Sequence, residues 1–496
     1  MKAQSIYRTI CENITPEGRL PQGFLIADKD AQPGKICFAP GAKDGIGLFH
    51  KEHHLDRVSV KIVQYMKTGS YAYIAGLLRM YRTLQVIDPV IKHIQSNHEA
   101  FDARQVIDFA FELVFESMEI EPVKFGIALL GMFDFSGEPQ IVNAVMALAL
   151  YDEFTLFSLV ALKNWEDGNV HQFFIAQRVQ GWGKVHAVEL LKADTEEIRD
   201  WILRYGCKNH VMDAYLGLTC AIKGNLIEAL RMDVMDSGLF DGICVIIDAL
   251  LVEGPVAGIN DYEHAEDALR LYLQSATKHA ATLKHLWHVL NVRDWLTNAQ
   301  NGYKEELLVL CACIAGMPRW HGLIKDAVAQ GEEEMLFCAV DSAKRLQMDI
   351  SALLIKTVMK KPVECSAYIS MLYGRAEYAK RLTATYEKTL PLTEMATGMG
   401  DDHFAAELQR EHQCLEHVLA ELGPYPNMGA KLLEAALQSP VVRERSMALS
   451  VLEKWSEDLW VSVWHISPSV GGVLKRIALE EVDEELRMRM VKLLSK

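Results

Sequence analysis

The stretch Ile141-Val-Asn-Ala-Val-Met-Ala-Leu-Ala-Leu-Tyr-Asp-Glu-Phe-Thr-Leu-Phe-Ser-Leu-Val-Ala-Leu162 decides how the chain is read. A membrane helix needs about 20 apolar residues with few or no charges. Here Asp152 and Glu153 stand in the middle, and Asn143 near the start. Ionised side chains at bilayer depth are costly. The spacing therefore predicts two buried helices joined by a turn, and no membrane span.

The same helical texture runs outward from this stretch. From about residue 56 onward, apolar residues recur three and four apart, the period of a helix buried on one face. Pro and Gly fall between these runs, as at Pro89, Pro122, Gly137-Glu-Pro139, Gly168, Gly181, Gly224, Gly254-Pro255, Pro318, Gly331 and Pro362. Asp194-Thr-Glu-Glu-Ile places acids in a first helical turn, where the helix dipole favours them. Short helices joined by short loops pack as antiparallel neighbours.

Short motifs recur along the chain. Ile198-Arg-Asp-Trp-Ile202 returns 94 residues later as Val292-Arg-Asp-Trp-Leu296, and Val442-Arg-Glu-Arg445 returns 44 residues later as Leu486-Arg-Met-Arg489. HEAT-type units run to roughly 40 to 47 residues. Pro440 to Leu452 has the stripe of a second HEAT helix, with Arg443 near its start. The expected fold is an all-α, HEAT/armadillo-like helical repeat solenoid, with Arg199-Asp200 and Arg293-Asp294 as ladder residues between units.

The first fifty residues differ. Pro16, Gly18, Pro21, Gly23, Pro33, Gly34, Pro40, Gly41, Gly45 and Gly47 punctuate them. Ile36 to Phe49 sets two short apolar runs around Pro-Gly and Asp-Gly, the pattern of a β-hairpin. The expected organisation is a β-containing cap over residues 1–55, helical repeats over 56–389, a linker over 390–402, and HEAT-like helices over 403–496.

The bulk properties narrow the function classes. The chain has 496 residues, half of them hydrophobic, with a formal net charge of −15. Nucleic-acid affinity rests on cationic neutralisation of phosphates, so an acidic chain without a long basic run predicts no nucleic-acid partner. Met1-Lys-Ala-Gln-Ser-Ile-Tyr-Arg has no apolar core behind its charges, which predicts no secretory signal. Ten scattered cysteines, several inside apolar runs, suit a reduced, cytoplasmic protein.

Motifs that carry chemistry are incomplete. Gly181-Trp-Gly183-Lys-Val-His186 and Gly45-Ile-Gly47-Leu-Phe-His50 each lack the third glycine of a dinucleotide fingerprint. No Gly-Lys pair precedes Ser or Thr, no Tyr has Lys four residues on, and no His follows Glu by three. Gly206-Cys207 lacks the surroundings of a haem-thiolate loop, and Gly-x-Ser-x-Gly is missing. The metal-like cluster is His50, His53 and His54, with Asp56 nearby; the expectation there is a polar junction and no metal. His285 with His288, and His403, His412 and His417 around Cys414, are read the same way, while Cys311 and Cys313 lie in an apolar helix.

Gly181-Trp-Gly-Lys-Val-His-Ala-Val-Glu-Leu-Leu191, Glu197 to Met212, Tyr215-Leu-Gly-Leu-Thr-Cys-Ala221 and Phe38 to Phe49 together resemble a bacterial HEAT-like family labelled limonene hydroxylase. That resemblance implies hydroxylation of limonene to carveol and perillyl alcohol, and dehydrogenation of these to carvone and perillyl aldehyde. It implies a monooxygenase with alcohol dehydrogenase activity, an apolar small-molecule substrate, a reduced nicotinamide cofactor, and haem, iron or flavin. It designates no catalytic or cofactor-binding residue. The residues alone also suit a non-catalytic scaffold that binds a protein or peptide on a concave helical face.

Overall fold

A computed structural model describes residues 4–26, 38–49, 54–254, 256–300, 302–398, 400 and 410–495. Every regular element among the described residues is helical, with no strand. The chain divides into two compact units. One is Met1–His279 with Asn291–Leu310; the other is Ala280–Leu290 with Cys311–Lys496.

Local chemistry sets many of the helix ends. Ser5, Asp102, Thr195, Asp236 and Asp483 each accept a backbone N–H in the first turn of the helix they precede, satisfying donors that have no partner inside the helix. Arg319–Gln330 stops at Gly331, whose φ of 69° is a left-handed conformation that glycine adopts without strain.

In the first unit, successive helices pack on one another. Ala103–Glu116 meets Ile120–Leu130, which meets Asp152–Leu162; that helix meets Gly181–Leu190, which meets Ala214–Lys223, which meets Ser237–Leu251. In the second unit, Arg319–Gln330 packs on Glu333–Arg345 and Ser351–Lys360, and Arg410–Leu422 packs on Val442–Leu459. Three buried indoles tie helix ends together. Trp165 donates to Phe133 O at 2.7 Å, Trp320 to Ile314 O at 2.6 Å, and Trp455 to Gly423 O at 3.0 Å. Each carbonyl lies at or just beyond a helix C-terminus, where acceptors are left over, and a buried indole N–H needs such a partner.

The deciding stretch forms two helices, Pro139–Leu148 and Asp152–Leu162, as its central charges predict. Among the described residues no single helix is long and apolar enough to cross a membrane. The pair Lys304–Ala315 and Arg319–Gln330 passes that test only jointly, bent by 61°.

The β-hairpin is corrected. Residues 36–37 lie outside the described residues, and Ala42–Phe49 is an α-helix. The reason is tertiary. Asp44 must reach Lys124 while Gly45 lies against Trp182. In a strand these neighbours would point to opposite faces, whereas a helix turns them by only about 100°. The recurring Arg-Asp pairs do not make one repeated contact. Arg199 donates to Ala193 O, whereas Arg293 bonds its neighbour Asp294.

Candidate functional site

Several ionisable groups of the first unit with shifted pKa values gather where Ala42–Phe49 meets Ile120–Leu130, Asp152–Leu162 and Gly181–Leu190. Lys124 comes from a helix whose only other charged residue is Glu121, and it is 1% exposed. Its ammonium reaches Asp44 Oδ2 at 2.6 Å, Glu153 Oε2 at 2.6 Å and Glu121 Oε1 at 3.0 Å. Arg82 adds a hydrogen bond to Lys43 O at 2.6 Å and a longer one to Asp44 Oδ1 at 3.4 Å. Among the described residues, three carboxylates thus surround Lys124, with Arg82 beside Asp44. Burial opposes the charge on Lys124, but Glu121, Asp44 and Glu153 together hold its pKa well above the ordinary lysine range. Burial raises the pKa of Asp44, and the neighbouring Glu121 and Glu153 offset part of the help from Lys124.

Asp152 sits one residue before Glu153 and accepts backbone hydrogen bonds from Gly183 and Trp182, at the start of Gly181–Leu190. Burial raises its carboxyl to about 7, further than these N–H groups pull it down. The approach requires glycine. Gly181 has φ 58°, a Cβ there would collide with Asp152 Oδ2, and one on Gly183 would lie 2.8 Å from both Asp152 Oδ1 and Thr155 Oγ1.

One turn on, His186 is 5% exposed, and its Nε2 is buried without a hydrogen-bond partner. Burial lowers its pKa to about 4, and the charge on Lys124 acts in the same direction. The imidazole is therefore neutral at pH 7. A buried polar atom without a partner is uncommon and needs an explanation.

An aromatic wall stands beside these groups. Trp182 lies 6.2 Å from His186, 5.0 Å from Tyr215 and 6.2 Å from Phe49, and Phe49 is 4.6 Å from Tyr215. Trp182 is buried, whereas Phe49 is 43% exposed, so the wall runs from the acid–base groups to the surface. A Cβ on Gly45 would collide with the Trp182 ring, and one on Gly41 would lie 2.7 Å from Asp152 O. These two glycines let the 42–49 helix seat on the cluster.

The chain matches no protein-family model, no curated protein and no solved structure.

Of the histidines singled out in the sequence, His50 and His53 lie outside the described residues, as does His403. His54 Nε2 lies 3.9 Å from Asp88 Oδ2, with both side chains well exposed. His285 is buried and accepts from Ala281 N at 3.0 Å. His412 bonds Glu444 at 2.8 Å and His417 bonds Ser366 at 3.1 Å. Among the described residues no three His, Cys, Asp or Glu side chains are grouped to hold a metal ion.

The cofactors implied by the resemblance do not fit the motifs nearest to them. A dinucleotide phosphate needs free amides at a helix start, but those of Trp182 and Gly183 are bonded to Asp152. Gly45 and Gly47 lie inside a helix. A cysteine that ligates haem does so as a thiolate, whereas Cys207 is buried with its thiol directed at Asp213 O, and contact with Cys220 and burial raise its pKa far above the ordinary value.

Sequence reading missed Asp44, Lys124, Asp152 and His186 as a group. The available signal was the single Lys124 in the apolar run Pro122-Val-Lys-Phe-Gly-Ile127, together with Asp152-Glu153 in its own apolar run.

Proposed function

We propose that the cluster beneath Trp182 binds a small, largely apolar molecule carrying one oxygen function. By the motif resemblance that class is limonene and its alcohols, carveol and perillyl alcohol. The reaction that goes with it is hydroxylation of limonene and dehydrogenation of the resulting alcohols. The observation carrying this reading is the unpartnered His186 Nε2 beside the aromatic wall. Perturbed groups converging next to apolar surface mark candidate sites. The rings would hold the hydrocarbon body and the neutral imidazole the hydroxyl. Asp152, near 7, is poised to accept or return a proton at neutral pH. No step is assigned to an oxidising group, because the motifs nearest to one do not fit.

The test has two parts. Titration with perillyl alcohol should quench tryptophan emission in the native chain, and the W182F and His186→Gln variants should lose that response. Incubation with limonene and a reduced nicotinamide cofactor, followed by gas chromatography, should yield carveol and perillyl alcohol. Quenching without products would retain the binding site and remove the reaction. Neither response would remove both.

A protein-binding scaffold is the second reading. It is supported by the successive packing of helices in the first unit and by apolar side chains such as Trp460, 92% exposed, and Leu479, 88% exposed, in the second. Immobilised native chain should then retain one partner from extract, and a W460S variant should release it. Equal retention by both would oppose this reading.

A further inference from the structure

Ala42–Phe49 is held to the first unit mainly by charge. Its buried residues are Ala42, Asp44, Gly45 and Gly47, whereas Ile46, Leu48 and Phe49 stay between 37% and 44% exposed. A surface helix usually docks by burying its large apolar side chains. Here the buried face carries an alanine, two glycines and a carboxylate. Burial of so little apolar side chain stabilises the docked position weakly.

Ion pairing supplies the rest. Asp44 Oδ2 lies 2.6 Å from Lys124 Nζ, and Arg82 Nη1 donates to Lys43 O at 2.6 Å and to Asp44 Oδ1 at 3.4 Å. Lys124 does not depend on Asp44 alone. Its own helix supplies Glu121 at 3.0 Å, the neighbouring helix supplies Glu153 at 2.6 Å, and its ammonium lies 5.8 Å from the Phe157 ring centroid. With the 42–49 helix lifted, Lys124 keeps two carboxylates and Asp44 passes into water. Burial opposes the charge on Asp44 in the docked position, so the hydration it regains offsets part of the lost attraction. Breaking a buried pair is costly when it strands a charge; this break strands neither group.

Beneath the helix lies the aromatic wall. The Gly45 backbone rests against the six-membered ring of Trp182, which is itself buried. That indole stands 6.2 Å from His186, whose Nε2 has no partner. At the base of the helix Gly41 has φ 74°, a conformation that glycine enters and leaves without steric cost.

We propose that Ala42–Phe49 is a lid over Trp182, on the route to His186, latched by Asp44 and opened when Asp44 leaves Lys124. Two carboxylates from the body of the unit hold the ammonium in either position, and the third is the latch. Lids are drawn from elements with little buried apolar contact. As the gate of an alcohol site, the lid rests on the function proposed above; as a moving element, it is tested without any ligand.

Hydrogen exchange of the full chain gives the first test. A lifted eight-residue helix is marginal in water, so the amides of residues 45–49 should exchange well ahead of those in Ile120–Leu130 and Gly181–Leu190. Asp44→Asn should speed exchange at 45–49 by about tenfold or more and leave those two helices unchanged. Acrylamide gives the second test. The contribution of Trp182, taken as the difference between each chain and its W182F counterpart, should be shielded in the native chain and quenched in Asp44→Asn. Arg82→Gln, which removes the bond to Lys43 O, should act in the same direction and less. In stopped flow, perillyl alcohol should quench Asp44→Asn faster than the native chain; a freed helix with no alcohol response would keep the lid and remove the binding site. The lid is overturned if residues 45–49 share the protection of the two body helices, if Asp44→Asn loosens all three together, or if Trp182 stays shielded in that variant.

Discussion

Each unit buries a cation completely, and the two settings are opposites. Arg445 is 0% exposed and donates to both Glu481 oxygens, at 2.8 and 2.9 Å. It also donates to Ser439 O, Pro440 O and Gly400 O. One cation meets one anion, and main-chain carbonyls take the remaining donors. Lys124 instead faces three carboxylates, beside an imidazole nitrogen without a partner and an aspartate raised to about 7. A balanced, saturated pair accounts for itself as architecture. A crowded, unsaturated one leaves something for a ligand or a proton to do.

The sharpest way to break this contrast is Arg445→Met. It leaves Glu481 charged and buried, and breaking such a pair costs about 3–5 kcal/mol. The upper end is expected here, read as a lower denaturant midpoint for the second unit. Lys124→Met should cost somewhat less, about 3 kcal/mol at pH 8, because Glu121 and Glu153 keep some water contact. Its pH dependence separates the two regions. Without Lys124, Asp44 loses the cation that holds its pKa down and still faces Glu121 and Glu153, so its folded pKa rises further. A raised folded pKa gives stability that is present at low pH and lost as pH increases. The variant should therefore be closer to the native chain at pH 5 than at pH 8; a constant deficit would contradict the crowding.

Gly45→Ala should cost about 1–3 kcal/mol, the usual range for overpacking. Its signature is proteolytic release of the 42–49 helix before the rest of the first unit unfolds. The smallest effect belongs to His54→Ala. Its pairing with Asp88 is long and exposed, so a change of no more than about 0.5 kcal/mol in the chemical-denaturation midpoint is expected. A larger loss would move function toward the His54 junction.

What the sequence disclosed follows from the range of the forces involved. Helices after residue 56 were legible because apolar spacing is local, and the break at Asp152 was legible because a charge in an apolar run has few other uses. The helix at Ala42–Phe49 was not, because it forms to satisfy Lys124 and Trp182, both far away in sequence. The candidate site was illegible for the same reason. Asp152 read as a turn residue, and the glycines at 181 and 183 read as a partial nucleotide motif. In the fold those glycines admit the Asp152 carboxylate.

The most direct measurement is the titration of the Asp152 carboxyl by carbon NMR in the native chain, with Asp152→Asn to assign the signal. A midpoint near 7 is predicted. Because that value is raised, folding stability should fall as pH climbs from the ordinary aspartate range toward 7, and Asp152→Asn should flatten that slope. A midpoint near 4, with no change of slope in the variant, would show an ordinary helix-capping carboxylate and contradict a proton-handling site.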